Sequence, residues 1–376
     1  MAMTLDVGFL RDLCLASGAS GYEAPVGRLI AARIRHTVPR AEIASDTVGN
    51  FSVTLADEGV GGHRVLLAAH ADQIGAVVSG ADEHGFVWLQ PSGLLDASLL
   101  PGHLVSVQTA TGPLDAVVGR VPGDFLRDGD STKLGFDDLW LDIGAKTQEE
   151  ALSLVAIGDP VTFTPSFVRL ARDGLASQAL DDRAGVYAIF RGLELWSAGP
   201  HARDTESVTA RGTGSDTQGQ GGLHRGAPHV TAVATTGEET TFLGARALAT
   251  SLRPDIIVVV DVIWASDHPH VDARKLGGDI RLGAGPVLNR GAGLSERLVR
   301  LVRTAAERAR IPLQLRAVPG STLSDADELL ATPGAETIAF GIPLRYMHAP
   351  CEVVDGNDVE HTAELIAAFL EVIAGS

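Results

Sequence analysis

Only two cysteines occur in 376 residues, Cys14 and Cys351, and they stand near opposite ends of the chain. A disulfide framework is thereby excluded, as is a structural zinc site made of thiolates, so any metal must be held by histidine and carboxylate. Basic residues are scarce as well. There are 30 Lys and Arg against 47 Asp and Glu, a formal net charge of −17 with histidine neutral. No Lys/Arg cluster could form a counterion-releasing patch, so nucleic acid is not an expected partner. Long hydrophobic runs are missing too. The most apolar stretch, Ile256 to Trp264, carries Asp261 in its middle and is too short to cross a bilayer. The opening MAMTLDVGFLRDLC has no basic start and places Asp6 and Arg11 where a signal peptide is apolar. A cytoplasmic protein without a membrane partner is the expectation. HExxH, GxxxxGK[ST] and GxSxG are all absent, and GTGSDTQG lies in a polar stretch rather than after a strand, so it is no dinucleotide fingerprint.

Against these absences stand 45% hydrophobic and 20% charged residues, ordinary globular usage in a chain long enough for about two or three domains. Val7 to Ser17 and Glu23 to His36 repeat apolar residues at three- and four-residue spacing, which predicts two amphipathic helices. Phe51 to Ala56 and Arg64 to Ala69 are short Val- and Leu-rich runs, the second continuous enough for a strand buried on both faces. From Gly75 to Thr164 the texture changes to short alternating runs such as GAVVSG, GFVWLQPSG and GHLVSVQTATG, as in a small antiparallel barrel or sandwich. After Ala179 helix and strand alternate again. Val186 to Trp196, Thr241 to Leu252, Leu294 to Ala309 and Val359 to Ile373 read as helices, and Val230 to Thr235, Ile256 to Val260 and Thr337 to Gly341 as strands. The alternation predicts an α/β fold with a mixed, mainly parallel sheet, helices on both faces and the barrel as an insertion. The expected division is 1–72 and 166–376 for the α/β body, with 73–165 inserted. Segment 199–228 nearly lacks large apolar residues and is expected to be a mobile loop.

In an open α/β sheet, ligands collect at the carboxyl ends of the parallel strands. VLLAA runs into His70 and Asp72, VTAVATTG into Glu238 and Glu239, IIVVV into Asp261, and TIAFGIPLRYM into His348. ALDDRAG places Asp181 and Asp182 just before a helix. Each has an ordinary reading: a satisfied histidine, a helix N-cap, a solvated loop. Asp261 is harder to dismiss, because a carboxylate ending five β-branched residues needs a partner. Together, five sites of ligand type at one sheet edge suit zinc, cobalt or manganese, in a number fit for two ions. Glu238 and Glu239, read as extended chain, would point to opposite sides.

In this order AAHADQIG, ALDDRAG, TTGEETTFLGA, VVVDV and PLRYMHAPCEVVD resemble the M42 family of metallo-aminopeptidases, the glutamyl and tetrahedral aminopeptidase group. The resemblance begins at SGASGYEAPVGRLI and ends at DVEHTAELIAAFLEVI. It implies a zinc-exopeptidase-like fold, with two divalent ions, Zn²⁺ or Co²⁺, held by His70, Asp181, Glu239, Asp261 and His348. Asp181 would bridge them, and Asp182 would follow a strained peptide bond, a candidate for the cis form. Asp72 would accept a hydrogen bond from the second His70 nitrogen, and Glu238 would be the general base. Peptides are the implied substrates, cut at the N-terminal bond. Homo-oligomers are implied as well, from dimers to a twelve-subunit shell, with the inserted barrel at the contacts. Gly237 stands where the family usually has Gln, and HADQ replaces its HMDE-like motif. Carboxypeptidases and deacylases of the M20 type use nearly the same ligands, but their extra domain comes later in the chain. A glycoside hydrolase using Glu238 and Asp261 would leave His70 and His348 without a role.

Overall fold

The computed structural model describes residues 5–56, 62–122, 134–199, 227–291 and 293–375. In chain order the strands are β1 (Glu42–Ser45), β2 (Phe51–Leu55), β3 (Arg64–His70), β4 (Gly75–Ala81), β5 (Val87–Ser92), β6 (Leu104–Thr109), β7 (Gly112–Arg120), β8 (Leu139–Asp142) and β9 (Pro160–Phe163). There follow β10 (Phe167–Arg169), β11 (Gly174–Ser177), β12 (His229–Thr235), β13 (Ile256–Trp264), β14 (Val287–Gly291), β15 (Gln314–Val318), β16 (Glu336–Arg345) and β17 (Glu352–Asp355). Eleven of them form one sheet, in the order β1-β2-β12-β3-β13-β16-β17-β11-β10, with β14 and β15 joined at β16. Strands β12, β3, β13 and β16 run parallel at its centre, with antiparallel strands flanking them.

The centre is parallel because its strands are apolar on both faces. Along β3, Val65, Leu67 and Ala69 face the larger core, while Leu66 and Ala68 face the opposite one. The larger core receives helices Val7–Leu15, Ala24–Thr37, Leu180–Ser197, Glu296–Ala309 and Gly356–Ala374, and the smaller one receives Leu243–Ser251 and Ala326–Leu329. Two-sided burial is what a continuous Val/Leu/Ala run requires. Phe369 of the last helix is fully buried and meets Phe340 of β16 edge to face, ring centroids 6.4 Å apart. Phe369→Ala is expected to cost about 3–5 kcal/mol through lost contacts and the cavity left behind, read as a lower urea midpoint at unchanged slope.

Between β3 and β10 the chain builds a closed antiparallel barrel in the order β4-β5-β8-β7-β6-β9. A barrel rather than a sandwich results because β9 pairs with both β4 and β6, leaving no free edge. Its interior is a core of its own, including Val87, Leu89, Val107, Val118, Leu139 and Leu141. A capped helix, Gln148–Leu154, precedes β9; Thr147 accepts the Glu150 N–H at its start. Of the expected loop at 199–228, residues 200–226 lie outside the described residues. Among the described residues no helix is long and apolar enough to cross a membrane.

Candidate metal centre

Strand β3 ends at His70, which pairs in register with Thr235 at the end of β12. The imidazole is buried. Its Nε2 lies 3.0 Å from Asp181 Oδ1 and 3.8 Å from Asp261 Oδ1, and its Nδ1 faces Asp72 Oδ1 at 3.4 Å. That last contact is an ion-pair distance without a formed hydrogen bond, because Nδ1 has no hydrogen-bond partner among the described residues. Fully buried Asp72 does more than face the imidazole. Its Oδ1 accepts the Glu238 N–H at 3.0 Å, and its Oδ2 accepts the Glu239 N–H at 3.1 Å and the Ser20 hydroxyl at 2.6 Å. One carboxylate thus ties the strand end to the glutamate pair.

That pair is not extended. Glu238–Thr241 is a short helical turn entered through Gly237 at φ +68°, and Glu238 and Glu239 both line the same cavity. The expectation of opposite-facing side chains in extended chain is corrected: two exposed N–H groups at a helix start need an acceptor, and Asp72 supplies it. Glu23 performs the same service one residue earlier, accepting the Gly237 N–H at 3.0 Å.

On the other side of the cavity the Asp181–Asp182 peptide bond is cis. Asp182 Oδ1 accepts the Gly185 N–H at 3.0 Å, so the second acid acts as a helix cap, the ordinary reading of such a pair. Asp181 Oδ2 lies 3.4 Å from His348 Nε2, and Glu239 Oε2 lies 3.5 Å from the same nitrogen. His348 has φ +63°, a left-handed conformation that costs a non-glycine residue free energy unless its surroundings hold it. Glu352 holds it. This buried carboxylate on β17 accepts the His348 N–H at 3.1 Å and the Asp181 N–H at 3.0 Å. Nothing in the sequence singles out Glu352, since its part is played through backbone N–H groups, one of them 171 positions away. Glu352→Gln would turn an amide NH₂ toward one of those N–H donors. The expected outcome is a 10- to 100-fold loss of metal affinity, measured by calorimetric titration of the metal-free protein.

Arg183, the residue after the DD pair, is fully buried as well. Its Nη1 donates to the carbonyls of Leu13 and Ala16, at 2.6 and 3.1 Å. Burial brings its pKa down to about 10, against the pull of Asp72, Glu23 and Asp182. Gly18 leaves room for it: a Cβ there would come 2.5 Å from Arg183 Nη2. Asp325 is buried beneath the site, with Oδ2 accepting the Thr235 hydroxyl at 2.5 Å.

So many carboxylates in one buried place cannot all ionise freely. Burial, with neighbouring acids, pushes Glu238 up to about 9, Asp261 to about 8 and Asp325 to about 6. Asp182, Glu239 and Glu352 are raised for the same first reason. Burial opposes ionisation of Asp181 too, yet hydrogen bonds from His348 and His70 hold it well below the usual carboxylate range.

The donors fit divalent cations. Ligand atoms of His70, Asp181 and Glu239 lie within 4.8 Å of one another, and so do those of His70, Asp182 and Asp261. Asp182, which the resemblance left out of the ligand set, therefore sits among the candidates. Glu239 Oε1, Asp182 Oδ2 and His70 Nδ1 are buried without a hydrogen-bond partner among the described residues. Leaving such atoms unsatisfied is costly, and imidazole with carboxylate is the donor set of zinc, cobalt and manganese. The cavity has a volume of about 410 Å³, and His70, Asp181, Glu238, Glu239, Asp261 and His348 all line it.

Two histidines and several carboxylates in one cavity, set on a mixed sheet at the ends of parallel strands, form a donor set of the kind that metal-dependent hydrolases use. The model of the M42 glutamyl aminopeptidases matches residues 49–210 and 223–365, and the chain belongs to that family. The lysyl aminopeptidase of Pyrococcus furiosus is 29% identical over 371 residues, covering 98% of this chain and 97% of that protein. Among solved structures, aminopeptidase APDkam598 of Desulfurococcus kamchatkensis has a TM-score of 0.81 at 27% identity, covering 98% of this chain and 96% of that one. The TET1 peptidase of Pyrococcus horikoshii, which assembles into a tetrahedron or a large octahedral shell, has a TM-score of 0.77 at 29% identity, covering 96% and 98%. The chain is a hydrolase acting as an aminopeptidase. Neither the M20 reading nor the glycoside hydrolase reading is favoured.

Proposed function

We propose that the chain removes N-terminal residues from peptides at a two-metal centre. His70, Asp181, Glu239, Asp261 and His348 would hold the ions, zinc or cobalt, with Glu238 as general base. The observation that carries this reading is the meeting of these side chains around one cavity, with buried acceptor atoms left unsatisfied. Bound divalent ions would supply Lewis acidity, polarising the scissile carbonyl and making the attacking water more acidic. The remaining work falls to the chain's own groups. Glu238 takes the proton from the water and returns it to the leaving amine, so one carboxylate serves as base and then as acid. Asp72 keeps Glu238 and Glu239 in register with His70 by holding both glutamate N–H groups. Asp181 is fixed through its N–H by Glu352.

A homo-oligomer is part of the proposal. The Pyrococcus horikoshii relative forms closed shells, and the barrel of this chain exposes Leu104, Val117, Leu152, Leu154 and Ile157. A panel of free and N-acetylated peptides, assayed after chelation and metal return, tests the function. Release of the first residue from free peptides alone supports it; release from the carboxyl end overturns it.

A further inference from the structure

Among the described residues, the two large apolar side chains with the greatest exposure are Leu94, at 77%, and Leu323, at 76%, and both line the catalytic cavity. They come from different parts of the fold, and each is held out by its backbone. Leu94 belongs to the inserted barrel. It stands at the tip of a tight turn after β5, closed by the Leu95 N–H donating to the Gly93 carbonyl at 3.0 Å. Leu95 packs against the barrel core, which anchors the turn. Gly93, at φ +85°, brings that turn against the metal centre: a Cβ there would come 2.8 Å from Ile74 Cγ2 and 3.5 Å from Glu239 Cβ. Leu323 belongs to the α/β body and has φ +57°, a left-handed conformation that costs a leucine free energy unless its neighbours hold it. Asp327 holds it. This carboxylate accepts the Leu323 N–H at 3.0 Å, the Thr322 N–H at 2.8 Å, the Thr322 hydroxyl at 2.7 Å and the Ser321 hydroxyl.

Leucine side chains fixed in this way on a cavity wall, yet open to water, suit an apolar group that arrives with the substrate. Their exposure also tells which group. In the same lining His70 and Ile263 are each only 3% exposed, so the metal centre and its apolar neighbour form the closed end, and the two leucines stand at the mouth. An exopeptidase that cuts the first peptide bond takes one residue past the reacting carbonyl, and the rest of the peptide must extend through the opening. We infer that Leu94 and Leu323 form an apolar subsite for the side chain of the second residue, on the leaving side of the scissile bond, and favour a bulky aliphatic group there whatever the first residue is; this rests on the aminopeptidase reading. The inserted barrel thereby takes part in substrate choice.

The test uses the metal-loaded full chain and amidated peptides X-Leu-Ala and X-Gly-Ala, with X = Glu, Leu or Lys. For every X that is cleaved, kcat/KM for the Leu member of the pair should be roughly 10- to 10²-fold above that for the Gly member. Leu94→Ser and Leu323→Ser should each lower that ratio several-fold, and the double variant should bring it to within about twofold of unity, with the order of preference among X unchanged. Both side chains are exposed, so the fold survives the changes. A wild-type ratio near unity, an equal loss for both members of a pair, or a shift in preference among X overturns the inference. So does a change of assembly size in light scattering with the ratio intact, which would make the leucines a contact between subunits. Failure to cleave any of the peptides would instead sink the aminopeptidase reading, and calorimetric titration of Glu238→Gln with the same peptides would still decide the mouth. The Leu peptide should bind roughly tenfold tighter than the Gly peptide, and equal binding overturns the subsite.

Discussion

Glu238→Gln leaves metal content and assembly size unchanged and lowers turnover by roughly 10²–10⁴-fold, the range general-base catalysis contributes. The substitution suits the question because the Glu238 side chain has no structural duty. Its backbone N–H is held by Asp72, whereas its carboxylate makes no hydrogen bond among the described residues. An amide of the same shape therefore keeps the fold and removes only the basic oxygen. Metal analysis and light scattering, run beside the peptide assay, separate lost chemistry from lost structure. Turnover within tenfold of wild type would take the proton-transfer role away from Glu238.

Chelation has the second large effect, and it depends on pH. Glu238, Asp261 and Asp325 titrate higher in the folded metal-free protein than in an unfolded chain, at about 9, 8 and 6. A carboxyl with a raised folded pKa favours the folded state while protonated. Its contribution is complete below the ordinary carboxylate range, near 4, and is lost as pH rises through the folded value. Asp181, held low by the two imidazoles, works the other way, but its contribution is already complete above the ordinary carboxylate range and adds no slope from pH 6 to pH 9. Metal-free protein should therefore lose Tm steadily from pH 6 to pH 9. Bound cations stabilise the ionised carboxylates and remove that slope. Ions at a hundredfold excess over Kd add about 2.7 kcal/mol per site, so the gap between chelated and loaded protein should widen toward pH 9. Thermal melts with and without chelator across that range check it, and a metal-free Tm that climbs with pH would contradict the crowding argument.

What could be read in the sequence was whatever continuous burial writes into it. Strands β3, β12, β13 and β16 are runs of Val, Ile, Leu and Ala, and their ends point to His70, the glutamate pair, Asp261 and, a few residues on, His348. Strands β14, β15 and β17 went unread because they are short and alternate with exposed or polar residues, as in QLRAV and EVVD. Two consequences followed for the site. Glu352 lies on one of those strands, so the sequence does not mark it as a candidate. The glutamate pair reads as a continuation of strand, although a single left-handed glycine, Gly237, turns it into helix. Arg183 is invisible in the sequence for another reason, and so is the burial of Asp325. A buried charge is recognised by its surroundings, and those come from segments as distant as Leu13 and Thr235.

The insertion of a whole barrel between His70 and Asp181, 111 positions apart, also sets the order of events during synthesis. A chain leaving the ribosome amino end first has β3 and a self-contained barrel core in hand while the opposite wall of the cavity is still untranslated. His348 and its clamp Glu352 are made later still, after β16. A nascent chain that has not yet reached β17 therefore lacks one wall of the proposed metal centre.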